Sequence, residues 1–123
     1  MTSTLRYRVR VVGEISDPLD DNVDVEVSFD DGKKYVLTFF TINNVHTIMS
    51  RHALSGESMG GNYFWCCDMI IVRRLDDVTI RGAIEDMLNR DCFFKAFSAI
   101  IQSNQREQSV GRETGMGRET GTS

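Results

Sequence analysis

Two runs of strict alternation constrain this chain more than any other feature. Leu5, Tyr7, Val9 and Val11 alternate with Arg6, Arg8 and Arg10, and Val23, Val25, Val27 and Phe29 alternate with Asp24, Glu26 and Ser28. Successive strand side chains point to opposite faces, so each run predicts a half-buried β-strand with one apolar face and one charged face. The charges are of opposite sign. If the two strands pair antiparallel, Asp24 and Glu26 stand across from the arginines and neutralise them. Read as function instead, the arginines are a basic ridge for phosphate or an acidic partner.

The residues between and after these runs supply the turns. Residues 16–22 hold the single proline and a cluster of Asp and Asn, whose short side chains bond their own backbone, so a loop is expected. Asp30-Asp31-Gly32-Lys33 predicts a hairpin, with Gly32 free to take the positive φ such a turn needs. A third strand follows over residues 34–40. Tyr35, Leu37 and Phe39 point to the core, while Val36 and Phe40 make its other face partly apolar as well.

A helix is expected over residues 42–55, capped by Thr41 or Asn43 and stopped at Gly56 in a left-handed conformation. His46 falls off its apolar stripe and His52 extends it. Residues 57–62, with Gly60-Gly61, are expected to be a flexible connection. Residues 63–72 then read as a fourth strand, apolar on both faces and therefore central or covered, with Trp65 and Met69 as core mass. Asp76 or Asp77 caps a helix whose stripe is Ile80, Ala83, Ile84, Met87 and Leu88. A second stripe, Phe93, Ala96, Phe97, Ile100 and Ile101, is half a turn out of phase at about 100° per residue, which demands a break at residues 89–91 and casts Asp91 as the cap of a last helix.

The resulting order, β-β-β-α-β-α-α, predicts one α+β domain over residues 1–103: a four-stranded, mainly antiparallel sheet in the order 4-1-2-3, closed by a right-handed crossover, with helices on one face. Residues 104–123 carry Gly111-Arg112-Glu113-Thr114-Gly115 and its repeat, residues 117–121, in a glycine-rich polar tail that is expected to be disordered. The tail's arginines and glutamates cancel. The net charge of -4 therefore lies in the domain and argues against nucleic acid as a partner.

Little in the chain points to catalysis. No window approaches the roughly 18 apolar residues of a membrane span, and no secretory apolar run opens the sequence, so a cytoplasmic address without membrane contact is expected. Cys66 and Cys67 are adjacent and Cys92 stands apart, so no disulfide framework is expected. With two histidines at no metal-ligand spacing, no metal and no cofactor is expected either. Asp17, Asp20, Asp21 and Asp24 depart from a calcium-loop spacing, and residues 56–61 lack the Gly-Lys-Ser/Thr of a phosphate loop.

Asp68 is the informative exception. A carboxylate in an apolar strand needs a cation, donors or a proton, so a structural ion pair with Arg8 or Arg10 is expected, with acid–base catalysis in a cleft as the alternative.

Thr38-Phe39-Phe40-Thr41, Gly56, Tyr63-Phe64-Trp65 and Asp68-Met69-Ile70-Ile71-Val72 resemble a pattern of small uncharacterised bacterial proteins, over residues 35–97. In size and acidic character the chain also resembles the immunity proteins that block secreted toxins. What this resemblance implies is a non-enzymatic protein-binding module. Its acidic surface, Asp17, Asp20, Asp21, Asp30 and Asp31, would meet a basic protein partner. A homodimer through an apolar patch at Phe40 or Phe94 is the third reading.

Overall fold

The computed structural model describes residues 6–100. Leu5, Ile101 and the tail with its repeat lie outside the described residues. Eight elements follow one another: β1 (Tyr7–Val12), β2 (Asn22–Phe29), β3 (Lys34–Thr41), α1 (Ile42–Ser55), a one-turn α2 (Glu57–Gly61), β4 (Met69–Val72), α3 (Asp77–Asn89) and α4 (Phe93–Ala96). The α+β class and the element order expected from the alternation are those observed, with α2 as an addition.

Local chemistry sets most boundaries. Thr41 is extended, and its hydroxyl accepts the Asn44 N–H at 3.0 Å, the side-chain cap that starts α1. Gly56, at φ 91°, ends it by donating its N–H to the His52 carbonyl. Asp76 caps α3 by accepting the Thr79 N–H at 2.7 Å. The β2–β3 hairpin turns on Gly32 at φ 95°, with the Lys33 N–H bonded to the Asp31 carboxylate.

The sheet runs β1-β2-β3-β4, not 4-1-2-3. β4 pairs parallel with the last four residues of β3, from Thr38 beside Met69 to Thr41 beside Val72. The physical reason is the connection: α1 leaves β3 at once, and a helical crossover returns the chain parallel to the strand it left. Ile70 and Val72 thereby join the apolar face that β3 already presents.

That face carries the core. Val25, Val27, Leu37 and Phe39 from the sheet meet Ile80 and Ile84 of α3 and Phe93 of α4, all essentially inaccessible to solvent. Phe29, Tyr35, Phe93 and Phe94 add edge-to-face and tilted ring contacts, with centroids 5.2–5.8 Å apart. Burying each such side chain stabilises the fold by about 1.5–3 kcal/mol. No residue of α1 or α2 belongs to this cluster. Phe40, on the opposite face of β3, packs instead against Phe64 with ring centroids 5.0 Å apart.

Two further expectations are corrected. The fourth strand covers residues 69–72 and not 63–72, because Asp68 sits at φ 50° and breaks the extended backbone. The other half of the β3 edge is met by the chain after α4, whose Ile100 N–H bonds the Lys34 carbonyl at 2.7 Å. Asp91 is not a cap: it takes φ 59° at the break, and Cys92 occupies the cap position without a side-chain bond.

Candidate functional site

The acidic loop before β2 bonds inward. The Asp21 carboxylate accepts the Ser16 N–H at 2.8 Å, the Asn22 N–H at 2.8 Å and the Asp17 N–H at 3.4 Å. Those donors, Ser16 first and Asn22 next, hold its pKa below the ordinary 3.8. Asp20 accepts the Asn44 side-chain amide N–H at 3.0 Å and the Thr47 hydroxyl at 3.0 Å, while the Asn22 side-chain amide donates to Asn44 Oδ1 at 2.8 Å. Asp17 bonds the Leu19 N–H at 3.0 Å. Thus Asp20 braces the start of α1, Asp17 and Asp21 bond within their own loop, and Asp31 bonds the Lys33 N–H within the exposed hairpin turn.

Asp68 and the β1 arginines are apart. β1 and β4 are opposite edges of the sheet, which places Asp68 beyond reach of Arg8 and Arg10 and corrects the expected ion pair. Arg10 pairs with Glu26 at 2.9 Å, and that bond, ahead of a second one from Lys34 at 3.4 Å, holds Glu26 below its ordinary 4.5. Arg8 stands opposite Ser28, and Asp24 opposite Val12, so cross-strand neutralisation reaches Arg10 alone. Asp68 finds two backbone donors instead. Its carbonyl accepts the Thr38 N–H at 3.0 Å, and its carboxylate accepts the Ser98 N–H at 3.4 Å, joining β4 to the segment after α4.

The segment between α1 and β4 holds what the alternation did not anticipate. Ser58, Met59, Gly60 and Gly61 all have positive φ, between 52° and 81°, so α2 is a left-handed turn, closed by Gly60 N–H to Gly56 carbonyl and Asn62 N–H to Ser58 carbonyl bonds of 3.3 and 3.1 Å. Each non-glycine residue there costs about 1–2 kcal/mol. Gly61 lies so close to α1 that a Cβ would stand 2.2 Å from the Met49 carbonyl oxygen. Glu57 reaches back to His52 at 3.2 Å and to the Ser55 hydroxyl at 3.2 Å, fixing the turn on the helix end.

From this fixed turn the large apolar side chains point outward. Leu54 is 91% exposed, Met59 72%, Trp65 71% and Tyr63 51%, whereas Phe64 turns in against Phe40. Trp65 is therefore not core mass, contrary to the parity reading of residues 63–72. The signal that could have found this was Gly60-Gly61 directly before the aromatics, because a glycine pair marks close backbone approach and a turn rather than the entry to a covered strand.

Cys66, Cys67 and Cys92 are free thiols, and among the described residues no three His, Cys, Asp or Glu side chains gather as metal ligands would. No helix among them is long and apolar enough to cross a membrane. Comparison with protein-family models, curated proteins and solved structures finds no match to this chain.

Proposed function

We propose that the chain is a non-enzymatic protein-binding module whose contact surface is built on residues 54–65. One observation carries this reading: Met59, Tyr63 and Trp65 are exposed on a backbone held in a strained left-handed turn, with Gly61 locked against α1. Strain of this kind persists only where surrounding structure enforces it, and it gathers at clamps and contact sites. Trp, Tyr and Met are also residues enriched where proteins meet, and the two rigid aromatics desolvate large areas at little cost in rotamer freedom.

The net charge of -4 favours a basic partner for this module, as an inhibitor of a basic protein would require. In this reading Asp30 and Asp31, exposed at the hairpin tip, contribute to that contact. Asp17, Asp20 and Asp21 add to the field while bonded within the fold.

A photo-crosslinker placed at position 65, in cells that make the protein, identifies the neighbour of this surface. That protein is then titrated against wild type, Trp65→Ala, and a double variant Asp30→Lys with Asp31→Lys. Loss of about tenfold or more in affinity for Trp65→Ala, at unchanged melting temperature, is the expected result. Equal affinity of Trp65→Ala and wild type, with a loss confined to the double variant, would move the contact to the hairpin tip and sink the reading.

A further inference from the structure

We propose that the outer edge of β1 takes an extended peptide with carboxylate side chains on alternate residues, adding it as a fifth strand. The strand order leaves β1 at the edge. The Asp30 N–H bonds the Arg6 carbonyl at 3.1 Å, which fixes the ladder parity: even-numbered residues of β1 bond β2, and the N–H and C=O groups of Tyr7, Val9 and Val11 face outward. The Val9 carbonyl already accepts Arg81 from α3 at 3.3 Å. An incoming strand shares that carbonyl's second lone pair or displaces Arg81, and meets the outward groups of Tyr7 and Val11 on either side.

A groove of about 560 Å³ follows the edge, with Arg8, Arg10, Glu26 and Ser28 along one side and Arg81 on the other. Its charge selects the occupant. Glu26 is shared between Arg10 and Lys34, and among the described residues Arg8 has no salt bridge. An incoming strand places alternate side chains beside Arg8 and Arg10, about 6.6 Å apart, so acids at that spacing meet both cations.

The same pattern rejects other occupants. A second copy pairing antiparallel about Val9 would set Arg8 opposite Arg10 twice, and like charges directly opposite destabilise a ladder. Basic strands meet the same repulsion. The mode is strand addition, in which main-chain bonds supply affinity and the alternate side chains supply specificity. The surface is separate from residues 54–65, which lead into the opposite edge strand.

The test uses the full chain and labelled, end-blocked peptides of alternating Glu and Val, read by fluorescence polarisation. The expected result is saturable binding, at least about tenfold tighter than for the Lys-Val counterpart or for a Glu-Val peptide N-methylated on the bonding residues. Arg8→Ser should weaken binding about threefold or more. Val11→Pro should abolish it, because the outward N–H is removed while the β1–β2 ladder is kept, with a fall in melting temperature set by the Val11 packing lost from the core. Val11→Ala, which loses that packing but keeps the N–H, should still bind. Trp65→Ala should leave it unchanged. Absence of saturable binding up to millimolar peptide overturns the proposal. So does equal affinity of the N-methylated peptide, which would mean charge attraction without a strand, or displacement of the peptide by a single-stranded oligonucleotide, which would make the edge a phosphate site.

Discussion

The loop of residues 16–21 and the segment of residues 54–65 are opposites in how they use their side chains. The first is polar and acidic, and its carboxylates are consumed by Ser16, Asn22, Asn44 and Thr47 within the fold. The second is aromatic and glycine-rich, and its side chains stand in solvent on a backbone that costs energy to hold. Composition alone would assign them the other way round, the acids to a contact surface and the aromatics to the core. What separates them is whether nearby structure satisfies the side chain. Asp17 and Asp21 reach backbone N–H groups of their own loop and Asp20 reaches the side chains of α1, whereas a Trp beyond a left-handed turn has nothing to pack against.

Breaking either region tests the contrast, and the largest effect is expected at Gly61. Gly61→Ala places a methyl group on the α1 backbone at positive φ, and should destabilise by about 3 kcal/mol in chemical denaturation. An effect below about 1 kcal/mol would mean that the turn lifts off α1 easily and is not enforced. Asp20→Ala removes two acceptors and leaves the buried Asn44 amide short of a partner. It should cost about 1–2 kcal/mol, measured in the same way. A neutral result would return the loop to the pool of available contact surface.

Acid should act on the loop rather than on the aromatic segment. Asp21 and Asp76 are held below their ordinary 3.8, by the Ser16 N–H and the Thr79 hydroxyl foremost, and Glu26 below 4.5 by Arg10. A carboxylate with a lowered folded pKa binds protons more readily when unfolded. Its contribution is complete above the unfolded value and is lost as pH falls through the folded one. Melting temperature should therefore hold above pH 4.5 and fall below about 3.8. In Asp21→Asn the part of that fall due to Asp21 should be absent.

The smallest stability effects belong to the exposed apolar side chains Met59 and Trp65. Met59→Gly relieves left-handed strain and should raise stability by roughly 0.5 kcal/mol, while weakening the partner contact proposed for this surface. Trp65→Ala should change stability by less than about 0.5 kcal/mol. A loss of 2 kcal/mol or more would show that Trp65 packs within the fold after all.

Several features were legible because they depend on neighbours in sequence. Alternation placed β1, β2 and β3. Thr41, Gly56 and Asp76 set helix ends by bonding within a turn of themselves, and the phase jump between Ile84 and Phe93 required the break found at Asp91. Other features were not legible, because they depend on competition for a shared edge. Whether β4 joins β1 or β3, and how much of β3 is left for it once Ile100 bonds Lys34, follows from no local pattern. Asp68 illustrates the limit: that it needed partners was clear, but a backbone N–H thirty residues later supplied one instead of an arginine.

By itself the sequence determined the class, the turns, the caps and the polarity of each strand face, since hydrophobic period and hydrogen bonding within a few residues decide them. The tertiary structure alone decided which strands form the edges of the described sheet, which acids are spent and which aromatics are left uncovered. Those outcomes follow from how distant segments close on one another. Here the helical crossover returned β4 beside β3, left β1 and its arginines at the opposite edge of the described sheet, and turned Met59, Tyr63 and Trp65 outward from a turn that Gly61 holds against α1.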